Sequence, residues 1–207
     1  MAQVNPDRRR HLVLLAIVAA ALVWSAIRPR DYFTWFLEVA PVFVGFVLIA
    51  ATYRRFPLTT FLYSLLAAHS LILMVGGHYT YAEVPLFNRL RDIGIFSRNN
   101  YDKVGHLAQG FFPVILAREI LIRTSPLAGS RWLGFLSASV CLAFSALYEI
   151  MEWWVSVLGG SRGDAFLGTQ GYIWDTQSDM FLCLVGSITA LLLLAQAHDR
   201  ALRRLPG

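Results

Sequence analysis

The sequence predicts an all-α protein: a polytopic membrane bundle of about six transmembrane helices, with an amphipathic helix at the membrane interface. Hydrophobic residues make up 57% of the 207 residues and charged residues only 15%, and the mean hydropathy is +0.54. Soluble domains carry about a quarter charged residues. Runs of about 20 apolar residues, the length that crosses a bilayer, recur along the chain. We therefore expect 1–207 to form a single integral membrane domain.

The predicted spans follow one another with mostly short connections. They are residues 12–27, 32–53, 57–77, 104–122, 132–158 and 180–197. The first run is short and follows Arg8, Arg9 and Arg10, as in a signal peptide. The residues after it make a poor cleavage site, so this run is interpreted as a retained span.

Two connections on the predicted outer side are longer than a tight turn. The first contains an amphipathic stretch at 84–96, which is expected to lie along the membrane interface. The second, 159–175, is rich in glycine and is interpreted as a re-entrant or lid-like loop. The two halves of the chain do not resemble each other, which argues against a transporter built from repeated halves.

The basic residues indicate the orientation of the chain. With a cytoplasmic N-terminus, eleven of the eighteen lysines and arginines fall on the inner side, as the positive-inside rule favours. Six spans then leave both termini in the cytoplasm. Because the basic residues are scattered at the ends of apolar runs, membrane lipids are the expected partners and nucleic acid is not. The oligomeric state stays open.

Ionisable residues cluster near the outer ends of the last three predicted spans, and such residues within a membrane mark functional sites by default. They share one helical face in each span: Asp102, His106 and Gln109 in the fourth, Glu149 and Glu152 in the fifth, Asp175 and Asp179 in the sixth. Polar residues at the same depth follow the third span: His78, Tyr79, Tyr81 and Glu83.

A histidine among carboxylates is a suitable ligand set for Zn²⁺, Mn²⁺ or Mg²⁺. A divalent metal ion is therefore the candidate cofactor, and its candidate ligands are His106, Glu149, Asp175, Asp179 and Asp102. The candidate catalytic residues, as acids or bases, are Glu149, Glu152, His106 and His78. The candidate substrate-binding residues are Gln109, Tyr79, Tyr81, Gln170 and Arg162.

Buried carboxylates need a compensating positive charge, and a basic side chain is an alternative to a metal ion. Arg162, in the glycine-rich loop, could supply that charge instead. Lys103 follows Asp102 and points about 100° away from it on a helix, so it is expected to be a poor partner for the buried face.

Simpler structural interpretations also exist for several polar residues. Asp102 and Asp175 stand at predicted helix starts, where aspartate is often only an N-cap. Arg118 and Glu119, near the inner end of the fourth span, are expected to snorkel towards water. His198 is expected to be an ordinary residue of the inner interface.

Several segments resemble the YjdF-like family of bacterial inner-membrane proteins over nearly the whole chain. They are Gly-His-Tyr-Thr-Tyr-Ala-Glu at 77–83, Tyr-Asp-Lys-Val-Gly-His at 101–106, Tyr-Glu-Ile-Met-Glu-Trp-Trp at 148–154, Phe-Leu-Gly-Thr-Gln-Gly at 166–171, and Trp-Asp-Thr followed by Asp-Met within 174–180. The resemblance implies a multi-pass protein of the bacterial inner membrane. It implies no reaction.

A more distant resemblance is to the VanZ-like membrane proteins, which are associated with resistance to glycopeptide antibiotics. The shared order is Asp102-Lys103-x-x-His106, then Glu149, then Asp175 or Asp179. The glutamine that often follows the VanZ glutamate three or four residues later is not at that spacing, where Glu152 stands instead.

Three functions fit these observations. The first is an enzyme, a metal-assisted hydrolase or transferase, that acts on an envelope lipid or lipid-linked substrate at the outer leaflet. The second is a small proton-coupled transporter, which a continuous polar path to the cytoplasm would favour. The third is a membrane protein that binds a lipid or a partner without catalysis, which a satisfied ion-pair network without a cavity would favour.

Overall fold

A computed structural model describes residues 6–159 and 170–205, and the secondary structure of these residues is helical without strands. Its elements in chain order are α1 (Pro6–Ala26), α2 (Tyr32–Thr52), α3 (Thr60–Tyr79), a 3₁₀ turn (Tyr81–Glu83), α4 (Pro85–Asp92), α5 (Tyr101–Phe111), α6 (Pro113–Thr124), α7 (Trp132–Gly159) and α8 (Asp175–Leu202). The predicted all-α membrane bundle is confirmed.

Five of these helices are long and apolar enough to cross a membrane: α1, α2, α3, α7 and α8. Their outward faces carry large apolar side chains, such as Phe144 on α7 and Leu192 on α8, the latter 78% exposed. Such surfaces are unusual on soluble proteins and suit contact with lipid tails. The protein is therefore an integral membrane protein with several passes.

The fourth predicted span is two helices joined end to end. Pro113 has no N–H, so the carbonyl of Gln109, four residues earlier, loses its helical hydrogen-bond partner. Helix α5 accordingly ends at Phe111. The chain nevertheless continues, since the Phe112 N–H still donates to the Ala108 carbonyl at 3.0 Å. Together α5 and α6 form a kinked helix of about 36 Å at 1.5 Å per residue, long enough to cross a bilayer.

N-cap residues and a proline set the starts of three other helices. Asp31 caps α2, because its Oδ2 accepts the Thr34 N–H at 2.7 Å. Thr59 caps α3 in the same way through the Leu62 N–H at 3.1 Å. Pro85 begins α4, where a proline ring fits the first helical turn. The short helix α4 lies within the amphipathic stretch predicted at 84–96.

Helices α5 and α8 pack with their backbones in contact. A side chain at Gly110 would run into the carbonyl of Cys183, and one at Gly186 would run into the carbonyl of Leu107. The Ser187 hydroxyl donates to the Gly110 carbonyl at 3.3 Å across the same crossing. Small residues permit this approach between membrane helices, and it brings the polar faces of α5 and α8 together.

Both ends of the described chain lie at the same end of the bundle. A cavity of about 710 Å³ there is lined by Arg8 and His11 near the start of α1 and by Arg204 after α8. The His11 Nδ1 atom lies 2.9 Å from the Tyr53 hydroxyl after α2. An even number of membrane crossings follows from this arrangement. We call this the α1-start end, and the opposite one the α8-start end.

A buried network at the α1-start end corrects the expectation that Glu119 snorkels and that His198 is an ordinary interface residue. Both side chains are fully buried, and His198 Nε2 lies 2.9 Å from Glu119 Oε2. Thr59 donates to both Glu119 oxygens, and Arg123 bonds Oε1 at 3.0 Å. Arg118 is also buried, at 2.8 Å from His198 Nδ1. The network ties α3, α6 and α8 together.

Candidate functional site

Side chains from α5, α7 and α8 meet at the α8-start end. Helices α5 and α8 both begin there, whereas α7 ends there, so the first turns of two helices face the last turns of the third. On α7 a line of small residues, Ser137, Cys141 and Ser145, is buried, and Glu149 on the same helical face is buried with it. On α8, Asp175 and Asp179 are buried as well.

Lys103 lies at the centre of the carboxylates, contrary to the expectation that it would be a poor partner. Its Nζ is 2.7 Å from Asp175 Oδ1, 2.7 Å from Asp179 Oδ1 and 3.7 Å from Asp102 Oδ2. The expected angle to Asp102 on α5 did not matter, because the long side chain reaches the neighbouring helix α8. Lys103 thus crosslinks α5 to the first turn of α8.

Arg98 is a second cation in the cluster, and the sequence analysis did not single it out. It precedes α5 and donates to Asp102 Oδ2 at 3.1 Å and to Asp175 Oδ1 at 2.5 Å. The ring of Tyr172 lies beside both cations, 5.2 Å from the Arg98 guanidinium and 5.5 Å from Lys103 Nζ. Asp102 and Asp175 therefore bind cations rather than acting only as helix caps.

His106 lies inside the same cluster. Its Nε2 is 3.6 Å from Asp102 Oδ1, 3.6 Å from Glu149 Oε1 and 4.0 Å from Asp179 Oδ1. Its Nδ1 lies 3.2 Å from Gln109 Oε1. Since that oxygen only accepts, Nδ1 carries the proton, and in the neutral ring Nε2 presents its lone pair to the carboxylates.

Glu149 has an unsatisfied acceptor in this setting. The Oε1 atom is buried and has no hydrogen-bond partner, while Thr176 on α8 hydrogen-bonds the same carboxylate. An unpaired buried carboxylate oxygen is costly. A proton, a metal ion or a ligand with a donor group would remove that cost.

The cluster opens sideways into a groove between α7 and α8. The groove has a volume of about 610 Å³ and includes Glu149, Asp175 and Thr176 among its lining residues. Large apolar side chains complete its walls: Ile150, Trp153, Ile173 and Met180. Charged and apolar surfaces therefore meet within one groove.

Glu38 on α2 is a further buried acid near this cluster that the sequence analysis missed. Its Oε1 accepts the Tyr81 N–H at 3.3 Å, its Oε2 has no partner, and its charge interacts with that of Asp102. Glu152, a predicted catalytic residue, is close enough for its charge to interact with those of Glu149 and Asp179. A lone acid within a long apolar span was the available signal for Glu38.

The last two residues of α3, His78 and Tyr79, contact the end of α1. The His78 ring stacks on Trp24 with centroids 4.5 Å apart, and its Nδ1 lies 3.1 Å from the Ser25 carbonyl oxygen. Tyr79 contacts both of these rings. The geometry thus gives His78 and Tyr79 a contact with the end of α1, on another side of the bundle.

Tyr81 packs between α3 and α5. Its ring fills the space beside Gly76 and Gly105 and meets the ring of Tyr101 edge-on at 5.5 Å. Burial, together with the nearby Glu38, raises the pKa of the Tyr81 phenol well above its usual value. The phenol therefore stays protonated and available as a donor.

The other predicted substrate-binding residues divide into three cases. Gln109 orients His106, as described above. Gln170 holds the backbone of Asn99, accepting from its N–H at 3.1 Å and donating to its carbonyl at 2.8 Å. Arg162 lies outside the described residues, as does most of the predicted glycine-rich loop at 159–175.

A subset of the predicted metal ligands has the spacing of a metal site. Ligand atoms of Asp102, His106 and Asp179 all lie within 4.8 Å of one another. Glu149 Oε1 is adjacent through His106. Asp175 is the predicted ligand that fits least, because the atom facing the cluster, Oδ1, already binds Arg98 and Lys103.

Comparison with known proteins gives the family. Residues 10–200 match the family described as "Predicted membrane protein (DUF2238)". The chain belongs to this family. A relative from Escherichia coli (strain K12), "Inner membrane protein YjdF", is 49% identical over 183 residues, which is 88% of each chain. No solved structure matches the chain.

The family and the fold agree on location. The relative is an inner membrane protein by its description, and five helices of this family member are suited to crossing a bilayer. The protein is therefore a multi-pass inner membrane protein, and the predicted resemblance to YjdF-like proteins is confirmed.

Proposed function

We propose that the protein binds an envelope lipid or a lipid-linked intermediate in the groove between α7 and α8 and acts on its headgroup. The observation that carries the proposal is the groove itself, in which Ile150 and Trp153 lie beside the carboxylates of Glu149 and Asp175. Ligand pockets combine apolar walls with a few polar groups that fix orientation. An amphiphile would place its chain along the apolar walls and its headgroup against the acids.

The unsatisfied oxygen of Glu149 narrows the chemistry of that headgroup. Oε1 is an acceptor without a donor, so the ligand should offer hydroxyl or amine hydrogens. Sugar-bearing and amine-bearing headgroups meet this condition.

The cluster also supports acid–base chemistry. Because the Nδ1–H of His106 donates to Gln109, Nε2 is available to accept a proton, and Glu149 lies 3.6 Å from it. A paired acid and base beside a bound headgroup suits a hydrolase or a transferase. His106 and Glu149 are the proposed catalytic pair. Glu152 is the reserve acid, and His78, stacked on Trp24, is the least suited of the four predicted residues.

The proposed site faces the outer leaflet. The α1-start end is rich in arginine, with Arg8 and Arg10 before the first span and Arg203 and Arg204 after the last. The positive-inside rule assigns such an end to the cytoplasm. Both termini would then be cytoplasmic and the cluster periplasmic. Lipids are the proposed partners.

The packing does not favour the transporter hypothesis. Along α8, the buried residues Cys183 and Ala190 lie between Asp179 and His198 and belong to the hydrophobic core with Val114 and Ile115. This core separates the two polar clusters among the described residues, so it provides no continuous polar path between them.

The test is to ask whether a lipid is retained in this groove. Purified protein would be examined by native mass spectrometry, with extraction and identification of bound lipids. Ala146→Trp fills the groove and should remove the retained species, and Glu149→Gln should weaken it by removing the acceptor charge. Val140→Trp, on the same helix but outside the groove lining, is the matched control. Equal lipid profiles for wild type and Ala146→Trp would contradict the proposal.

A further inference from the structure

We propose that Asp102, His106, Glu149 and Asp179 together bind one divalent transition-metal ion, Zn²⁺ or Mn²⁺. The inference deepens the proposed function, on which it rests for the role of the metal. Metal binding itself is argued from the mutual spacing of Asp102, His106 and Asp179 and from the distance between His106 and Glu149. The ion would lie at the inner limit of the cluster, next to the groove.

The distances from His106 Nε2 to three carboxylate oxygens fit an ion rather than hydrogen bonds. His106 Nε2 lies 3.6, 3.6 and 4.0 Å from oxygens of Asp102, Glu149 and Asp179. These separations exceed those of hydrogen bonds. Two ligands that are each about 2.0–2.1 Å from a tetrahedral Zn²⁺ lie about 3.4 Å apart. A small contraction would complete the site.

The arrangement of acceptor atoms around His106 Nε2 favours a cation between them. The Nδ1–H of His106 is fixed by Gln109, which is the second-shell arrangement that orients metal-binding histidines. Nε2 therefore faces three carboxylate oxygens, and one of these, Glu149 Oε1, has no hydrogen-bond partner although its side chain is only 4% exposed. Ligand atoms of Asp102, His106 and Asp179 lie within 4.8 Å of one another, and Glu149 Oε1 lies beside His106. A cation among these atoms would satisfy the unpaired oxygen of Glu149.

The net charge of the cluster also favours a bound cation. Four carboxylates, those of Asp102, Glu149, Asp175 and Asp179, face only Arg98 and Lys103 as permanent cations in the described part of the cluster. If all four are ionised, two negative charges remain. Buried charge needs compensation, and one divalent ion would supply it.

The two protein cations leave the Asp102 and Glu149 ligand atoms accessible. Arg98 and Lys103 approach Asp102 from its Oδ2 side, and Oδ1 faces His106. Asp175 is taken by the same two cations and is therefore left out of the ligand set. Lys103 also touches Asp179 Oδ1, so it would hold this carboxylate in place beside the ion.

The donor set also indicates the class of metal. One imidazole and three carboxylates suit Zn²⁺ or Mn²⁺ better than Mg²⁺, which prefers oxygen ligands and water. A metal held at this point would polarise a phosphoryl or carbonyl oxygen of the headgroup. With the ion bound, His106 and Glu149 would hold it instead of transferring protons, and proton transfer would pass to Glu152, the reserve acid of the proposed function.

The experiment measures metal content. Full-length protein in detergent is stripped with a chelator, incubated with ZnCl₂ or MnCl₂, desalted and analysed for metal by mass spectrometry. We expect about one ion per chain for wild type. His106→Gln and Glu149→Gln should weaken binding by more than the about 10–100-fold that loss of an outer partner costs. Glu152→Gln, a nearby carboxylate outside the ligand set, is the matched control and should bind like wild type.

Two further measurements test metal binding even if the ligand variants do not fold. If the ligand variants unfold, electron paramagnetic resonance of Mn²⁺ bound to wild type, with Asp179→Asn as a milder variant, still reports whether the ion is held by the protein. Wild type without stoichiometric metal at millimolar ZnCl₂ and MnCl₂, or equal losses in Glu152→Gln and His106→Gln, would overturn the inference. Lipid retention measured on the same samples separates this failure from failure of the proposed function.

Discussion

His106 and Glu149 face each other across 3.6 Å, from imidazole Nε2 to carboxylate Oε1, with both side chains almost completely buried. The two residues come from α5 and α7, which meet in the cluster at the α8-start end. This distance is too long for a hydrogen bond and too short for two lone pairs to be left unsatisfied in a bilayer. We propose that a proton, a metal ion or a headgroup binds at this pair.

Lys103 should be essential to the stability of the cluster. Lys103→Met leaves Asp175 and Asp179 buried with less compensation, and breaking a buried ion pair in this way costs about 3–5 kcal/mol. Thermal unfolding in detergent should show a large loss. Arg91→Met is the control, because its partner Asp92 is exposed and such pairs contribute about 1 kcal/mol or less. Similar losses in both variants would contradict the arrangement.

The crossing of α5 and α8 should not tolerate a methyl group at Gly110. Gly110→Ala places the new carbon against the Cys183 carbonyl, which cannot move by a rotamer change, so the helices must separate at a cost of about 1–3 kcal/mol or more. Gly134→Ala is the control, since its nearest neighbour is Leu191 Cδ1 at 3.9 Å. That variant should be neutral or slightly stabilising. Unfolding by detergent titration compares the stability of the two variants. Equal stability would contradict the close backbone contact between α5 and α8.

The Glu119 network at the other end should also be stabilising. Glu119→Ala removes the acceptor of Thr59, Arg123 and His198 at once, so we expect a loss of about 3–5 kcal/mol. Asp199→Ala removes a carboxylate that is 44% exposed, at the edge of the same network, and should cost about 1 kcal/mol or less. The comparison uses the apparent melting temperature. A larger effect at Asp199 would argue against the buried network.

Labelling with a membrane-impermeant thiol reagent tests the orientation. Leu86→Cys, exposed on α4, should react in intact cells. Arg203→Cys, at the end of α8, should react only after the membrane is opened. The natural residues Cys141 and Cys183 are buried and free, so they should contribute little background. Labelling of Arg203→Cys but not of Leu86→Cys in intact cells would reverse the orientation.

Much of the fold could be predicted from hydropathy, because a bilayer requires apolar runs of a set length. The run at 32–53 became α2, and the run at 132–158 became α7 with nearly the same bounds. The break in the fourth run was missed although Pro113 was visible. Proline often kinks a membrane helix without ending the span, so the hydropathy of the run did not reveal it.

The polar faces of the last three spans were also predictable, since helical periodicity fixes which residues share a face. The partners across helices were not. Arg98 precedes α5 and has no helical register to place it, and Lys103 was judged by its own helix alone. Glu38 lies far away in sequence on α2. Only the packing of the helices brings Arg98 and Lys103 beside the carboxylates of α8 and Glu38 near Asp102 of α5.

We propose that the groove between α7 and α8 holds a specific lipid or lipid-linked molecule with its headgroup at Glu149. A photo-crosslinking amino acid at Ile150, which lines the groove, tests it most directly when compared with one at Leu193, which is exposed on α8 outside that lining. After irradiation in cells, the Ile150 position should capture one enriched species, and Glu149→Gln should reduce its yield. The Leu193 position should capture bulk phospholipids in membrane proportions. Bulk phospholipids at both positions, unaffected by Glu149→Gln, would contradict the account.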